Sequence, residues 1–273
     1  MSNKMSSKTI VITRPMGQAR QLSEALQANL ASSGMTKEFS PKIISLPLLT
    51  IVPKEDSGLT QEITQALQSA DLAIFVSPNA IECTMRLIEQ SWQELAHSPI
   101  PIGVMGGSSM VALKNYGIGI EGLPTTVILP QDKAHWDSEG LWLELQKLQW
   151  DWTAKTVLIF KGEGGRDWLA ETLKDKGAQV QAFSVYARAP LDLHNPAWGE
   201  IHQMDFAQSL WLLTSSEAVR YLGQVKLPLD HAKAICPHRN IADAAKRIGF
   251  GEVFTCEPGD GPLIAASQAW LSN

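Results

Sequence analysis

A chain of 273 residues suggests two domains, at roughly 150 residues per domain. Its 44% hydrophobic and 19% charged residues make an ordinary globular mixture and exclude disordered, collagen-like and disulfide-scaffold classes. Lys and Arg number 23 against 28 Asp and Glu, a net charge of −5, so nucleic acid is not an expected partner and any positive potential toward an anion must be local.

Along the chain, Thr9–Thr13 reads as a strand and Gln18–Leu30 as a helix, with Leu22, Leu26 and Leu30 recurring along one face. Ile43–Val52 is strand-like. The strand Leu72–Val76 precedes a helix over Ala80–Glu89, and Ile102–Met105 precedes a helix over Met110–Tyr116. Val127–Leu129 precedes a helix over Gly140–Leu148, and Val157–Phe160 one over Asp167–Lys176. Gln181–Pro190 is again strand-like. The strands Ser209–Leu213, Ala234–Cys236 and Val253–Thr255 follow, with a helix over Ile241–Ile248. Such alternation implies parallel sheets built by right-handed crossovers, an α/β architecture.

The chain also echoes itself. TIVITRPMGQARQLSEAL (9–26) lies over TVLIFKGEGGRDWLAETL (156–173), which brings Arg14 onto Lys161. AIFVSPNAIE (73–82) pairs with WLLTSSEAVR (211–220), and VMGGSSMVALKNYG (104–117) with CPHRNIADAAKRIG (236–249). The order of the echoes makes one domain contiguous, 52–184, and the other split, 1–42 plus 191–273. The two crossings, 43–51 and 185–190 within the strand-like stretches, are expected to pair as a two-stranded connector and to act as a hinge.

In open α/β sheets ligands lie beyond the carboxyl ends of strands, where helix N-termini offer unpaired N–H groups. Ser77 in FVSPNA is a suitable N-cap, with Pro78 in the first helical position. Ser215 in TSSEA, Ser108 and Ser109 in GGSS, and Ser138 in WDSEG are further cap candidates. Each suits a carboxylate or phosphate, although a serine before a helix can simply cap it. Arg14, Lys161 and His238 stand at strand ends.

Motifs of other chemistries fail. Gly117-Ile-Gly119-Ile-Glu121-Gly122 matches GxGxxG but follows a helix and runs into Pro124. KGEGGR (161–166) lacks the ending of a P-loop, and the acids Glu121 and Glu163 have no assignable partners. His97, His135, His194, His202, His231 and His238 show no metal spacing. Cys83, Cys236 and Cys256 show no CxxC pattern. Nine tryptophans read as core and interface fillers. MSNKMSSK is too polar for a secretory leader, and Ile43–Val52 is too short for a membrane span. The expectation is a cytoplasmic protein with no membrane contact and cofactor-free, metal-free chemistry.

VITRPMGQARQLSEAL (11–26), FVSPNA (75–80), GVMGGSSMVALKNYG (103–117), DSEGL (137–141), VLIFKGEGGRDWLAETLKDKGAQV (157–180), VYAR (185–188), LLTSSEAV (212–219) and IADAAKRIGF (241–250) together resemble the uroporphyrinogen-III synthase family over nearly the whole chain. Two departures stand out: Ser109 where the family usually has Thr, and Thr214-Ser215-Ser216 where it usually has Thr-Ser-Pro.

The resemblance implies two α/β domains joined by a two-strand ladder, with the active-site cleft between them. It implies a monomer without metal or organic cofactor, acting on hydroxymethylbilane, a linear tetrapyrrole with many carboxylates. It also leaves room for transient contact with the preceding pathway enzyme. The family's enzymes expel the terminal hydroxyl as water. The resulting azafulvenium is attacked by the last ring at its substituted carbon, and a spiro intermediate recloses with that ring inverted. Tyr186 in VYAR matches the tyrosine proposed as acid, and a phenol is protonated at neutral pH. Arg14, Ser77, Ser109, Ser215, Lys161 and His238 are then the candidate substrate-binding positions. A rival reading is a non-catalytic two-lobed sensor or binding protein for an anionic small molecule. A regulator with a synthase-like domain would need a DNA-reading module, for which no basic helix-turn-helix pattern is present.

Overall fold

Residues 8–32, 40–88, 91–95, 99–120 and 125–272 are described by a computed structural model. The chain divides into two units, Met1–Thr50 with Ala189–Asn273, and Ile51–Arg188.

The split unit is built on a five-stranded parallel sheet. Its strands are β1 (Thr9–Ile12), β2 (Lys42–Ser45), β9 (Ser209–Leu212), β10 (Lys233–Cys236) and β11 (Glu252–Thr255), in the order β11-β10-β9-β1-β2. Alternation along the strands divides their side chains between two faces. Ile10, Ile12, Leu210, Leu212 and Ile235 pack against Leu22 and Leu26 of α1 (Met16–Ser32) and Leu263 of α11 (Asp260–Ser272). Val11, Trp211 and Ala234 meet Ile201 of α8 (Ala197–Gln203), Val219 of α9 (Ser216–Leu222) and Ile241 of α10 (Arg239–Arg247). With both faces covered, β1 and β9 are buried throughout, which explains their largely apolar runs.

The contiguous unit holds a six-stranded sheet in the order β3-β8-β7-β4-β5-β6. The strands are β3 (Leu49–Pro53), β4 (Leu72–Phe75), β5 (Ile102–Val104), β6 (Val127–Ile128), β7 (Thr156–Gly162) and β8 (Gln179–Pro190), with β4 to β8 parallel. One face packs on α2 (Ser57–Leu67), α3 (Pro78–Ile88), α4 (Trp92–Leu95) and α5 (Gly107–Asn115). The other packs on α6 (Ser138–Gln146) and α7 (Trp168–Asp175). Read from its far edge, β6-β5-β4-β7-β8 repeats the order β11-β10-β9-β1-β2, with the echoed segments in equivalent places. Among the described residues no helix is long and apolar enough to cross a membrane.

Three expectations need correction. Ile43–Val52 is two strands: β2 joins β1, whereas β3 pairs with β8, and the break falls at Pro47 between the buried Leu46 and Leu48. Helices α2, α4, α8 and α11 are additional to those the sequence pattern announces. The caps of two helices also move by one to three residues. Gly106 precedes α5, placing Ser108 and Ser109 inside its first turn, and Asp137, not Ser138, caps α6 by accepting from the Gly140 N–H at 2.8 Å. Glu89, His97 and Glu121–Pro124, with the end of the GxGxxG match, lie outside the described residues.

Candidate active site

At the carboxyl edge of the six-stranded sheet the chain leaves β4 and turns into α3. Ser77 caps that helix, its Oγ accepting from the Ala80 N–H at 3.1 Å. Two strands away, β8 carries Tyr186 and Arg188 on one face, because residues two apart in a strand point the same way. The Tyr186 ring is 1% exposed, and its Oη lies 3.1 Å from Ser77 Oγ. Arg188 Nη2 donates to the same oxygen at 3.1 Å, and the guanidinium sits 5.2 Å from the ring centroid. Arg188 Nη1 also donates to the Glu163 carbonyl at 3.3 Å.

Gly162 makes this arrangement possible. The β7–β8 register shifts between Lys161 and Gly162, and a Cβ on Gly162 would lie 2.5 Å from Tyr186 Cε2 and 2.6 Å from Cζ. Any side chain there would push the ring out of place. The buried phenol thus has a fixed position, a hydroxyl partner on one side and a cation on the other.

Beside it is a pocket of about 190 Å³ lined by Lys161, Gly162, Gly164, Gly165, Arg166, Arg188 and residues of α6 and α7. Gly164 and Gly165 take φ of 65° and 88°, a left-handed turn that favours glycine and sends the chain back toward α7. The Lys161 side chain is 14% exposed and pairs with Asp167, while Arg166 pairs with Glu139. Glu163 is turned to Lys54, 2.9 Å away. Ser109 is buried in the first turn of α5, behind β5.

The split unit carries the other candidates at the carboxyl edge of its own sheet. Ser215 caps α9, accepting from the Ala218 N–H at 3.3 Å, so the Thr214-Ser215-Ser216 departure preserves the cap. Arg14, just past the end of β1, is mostly covered and paired. Its side chain is 14% exposed and Nη1 sits 2.6 Å from Asp260 Oδ1, in the first turn of α11. His238 stands at the cap position of α10, exposed and making no cap hydrogen bond. Burial pushes the Cys83 thiol up to about 11 and that of Cys236 up to about 12, so both stay protonated and poorly nucleophilic at neutral pH. Among the described residues no group of His, Cys, Asp or Glu is placed to hold a metal.

The structure therefore brings Ser77, Tyr186 and Lys161 into one neighbourhood, and it sets Arg14, Ser215 and His238 on the edge of the other sheet. Arg188, Gly162 and Arg166 were missed from sequence. For Arg188 a signal existed, since the i, i+2 spacing from Tyr186 in a strand puts the two on one face.

The family model described as uroporphyrinogen-III synthase HemD matches residues 16–265. The chain belongs to the uroporphyrinogen-III synthase family. It is 22% identical over 263 residues to the Escherichia coli K12 uroporphyrinogen-III synthase, covering 94% of this chain and 98% of that one. It is 27% identical over 195 residues to the Proteus mirabilis uroporphyrinogen-III synthase, covering 67% and 82%. The crystal structure of the Helicobacter pylori 26695 uroporphyrinogen-III synthetase superposes with a TM-score of 0.62 at 13% identity, over 96% of this chain and 99% of that chain. A mutant uroporphyrinogen III synthase from Thermus thermophilus gives 0.56 at 16% identity, over 98% and 100%. These two share the fold of this family member, two α/β domains with parallel sheets.

Proposed function

We propose that the protein converts hydroxymethylbilane into uroporphyrinogen III, as a monomer in the cytoplasm, without metal or organic cofactor. The observation that carries this reading is the buried Tyr186 hydroxyl, held between Ser77 and Arg188 beside a pocket to which Lys161, Arg166 and Arg188 contribute. In this reading Tyr186 donates its proton to the departing hydroxyl, which leaves as water. The phenolate left behind is met by the Arg188 guanidinium, already 3.1 Å from the oxygen before the charge develops. The last ring attacks the azafulvenium through its substituted carbon, the spiro intermediate fragments, and closure with that ring inverted releases a proton that restores the phenol.

Ionisation of an electron-rich pyrrole is intrinsically easy, so the protein's larger task is to hold a conformation. Arg14, Lys161 and the helix N-termini after Ser77, Gly106, Ser215 and His238, with Ser109 in the first turn of α5, are the groups assigned to the substrate's carboxylates. Incubation with freshly prepared hydroxymethylbilane, followed by separation of the isomers, tests the function. The type III isomer should predominate; type I alone, formed at the rate seen in buffer, would refute it.

A further inference from the structure

The turn Lys161–Arg166 and the strand residue Arg188 bring three cationic side chains to one small pocket. At about 190 Å³ it lies below the roughly 300–1,000 Å³ typical of sites that enclose a whole small molecule. It is large enough for one short acidic substituent. Gly162, Gly164 and Gly165 present backbone to it, and Val76, Met105, Ile159, Leu169 and Ala170 complete an apolar lining that would hold the substituent's methylene while the cations meet its carboxylate. Two of the cations already hold acids of this chain, Asp167 on Lys161 and Glu139 on Arg166. The Lys161 pair is lopsided. Lysine is 14% exposed and aspartate 57%, so the cation is built into the wall while its acid stands mostly in water. Arg188 faces both ways: it lines the pocket and donates to Tyr186 Oη.

We propose that this pocket receives a single carboxylate-bearing side chain of the substrate, and that Glu139 and Asp167 are resident counter-anions which that carboxylate displaces. The inference deepens the functional reading above and rests on it, because it sets the acid group next to the hydroxyl that leaves at Tyr186. A bound carboxylate gains charge-assisted hydrogen bonds from Arg166 and Lys161, and the displaced acids return to water with little loss.

The two halves of the exposed Arg166–Glu139 pair make the test. Steady-state kinetics of the full chain with hydroxymethylbilane should show KM raised about tenfold in Arg166→Gln, with kcat within about twofold of wild type. Glu139→Gln should move KM the other way, lowering it by about two- to fivefold, because it releases the cation. An ion pair that served the fold alone would shift both variants in the same direction. Unchanged KM in Arg166→Gln, or KM raised in both variants, overturns the pocket while leaving the synthase reading intact. A wild-type protein that forms no type III isomer overturns both.

Discussion

Gly162 and Tyr186 form a pair in which the missing side chain of one makes room for the ring of the other. Gly162→Ala should therefore cost about 1–3 kcal/mol through overpacking, and it should slow turnover by about tenfold or more as the phenol is displaced. Urea unfolding and a turnover assay on the same preparation would check both, and wild-type turnover would show that the ring's position does not matter. Arg14 carries a second prediction at this scale. With its side chain mostly covered and paired to Asp260, Arg14→Ala should lose about 1 kcal/mol in urea unfolding, and Asp260→Asn about as much. The strand-end position announces a cation but not its partner: α11 lies some two hundred and forty residues beyond Arg14, and nothing local announces its acid. Ser77 and Ser215 were legible because a cap is decided by its own turn. Gly162 was not, because its role exists only once β7 is paired with β8.

Elements repeat the lesson in larger form. Strands β1, β4, β7, β9 and β10 were readable because burial on both faces leaves short continuous apolar runs. The division of Ile43–Val52 into β2 and β3 was hidden for another reason: both are edge strands that alternate in exposure, yet apolar residues also fill exposed positions, as Val52 does, so the run shows no period. Helix α11 was hidden by Gly261 and Pro262, which resemble a loop although a proline is tolerated in a first turn. A side chain also ties two strands together. Asp71, just before β4, accepts from the Thr156 N–H at 2.8 Å and from Lys155 Nζ at 2.9 Å at the start of β7. Burial pushes the Asp71 carboxyl up, but the Thr156 and Lys155 hydrogen bonds together outweigh it and hold it below the usual carboxylate value. A carboxyl lowered in the folded state adds stability above its unfolded value and loses it as pH falls through the folded one. Asp71→Asn should thus cost about 1–2 kcal/mol at neutral pH. The deficit relative to wild type should shrink below about pH 4, and thermal unfolding across that range would reveal it. A deficit constant from neutral to acid pH would exclude the ionised carboxylate as its source.

At the scale of the whole molecule, each hydrophobic cluster among the described residues stays inside one unit. Two lie on the faces of the five-stranded sheet and two on those of the six-stranded sheet. A fragment spanning residues 49–190 keeps β3 and β8 intact with both clusters of the contiguous unit. It should fold alone, with α/β circular dichroism and one cooperative urea transition. A non-cooperative transition would mean that its core depends on the rest of the chain. The duplication behind this organisation was legible, because the echo of 9–26 in 156–173 places β1 with α1 and β7 with α7 in equivalent slots of two sheets of the same order. What the echoes could not supply is the asymmetry between the copies. At the position equivalent to Arg14, Lys161 opens the Gly-rich turn beside Tyr186, and the matching turn after β1 has no such pair of glycines. In the proposed function, a bilane that closes without help to the type I isomer is given a different outcome, and faster, by this molecule. The most direct measurement is the single-turnover rate of type III formation from hydroxymethylbilane by wild type and Tyr186→Phe side by side, with circular dichroism to confirm a common fold. Loss of the phenol proton should slow type III formation by about ten- to a thousandfold. An undiminished rate in the folded Tyr186→Phe variant would contradict the assignment of Tyr186, Ser77 and Arg188 as the site of chemistry.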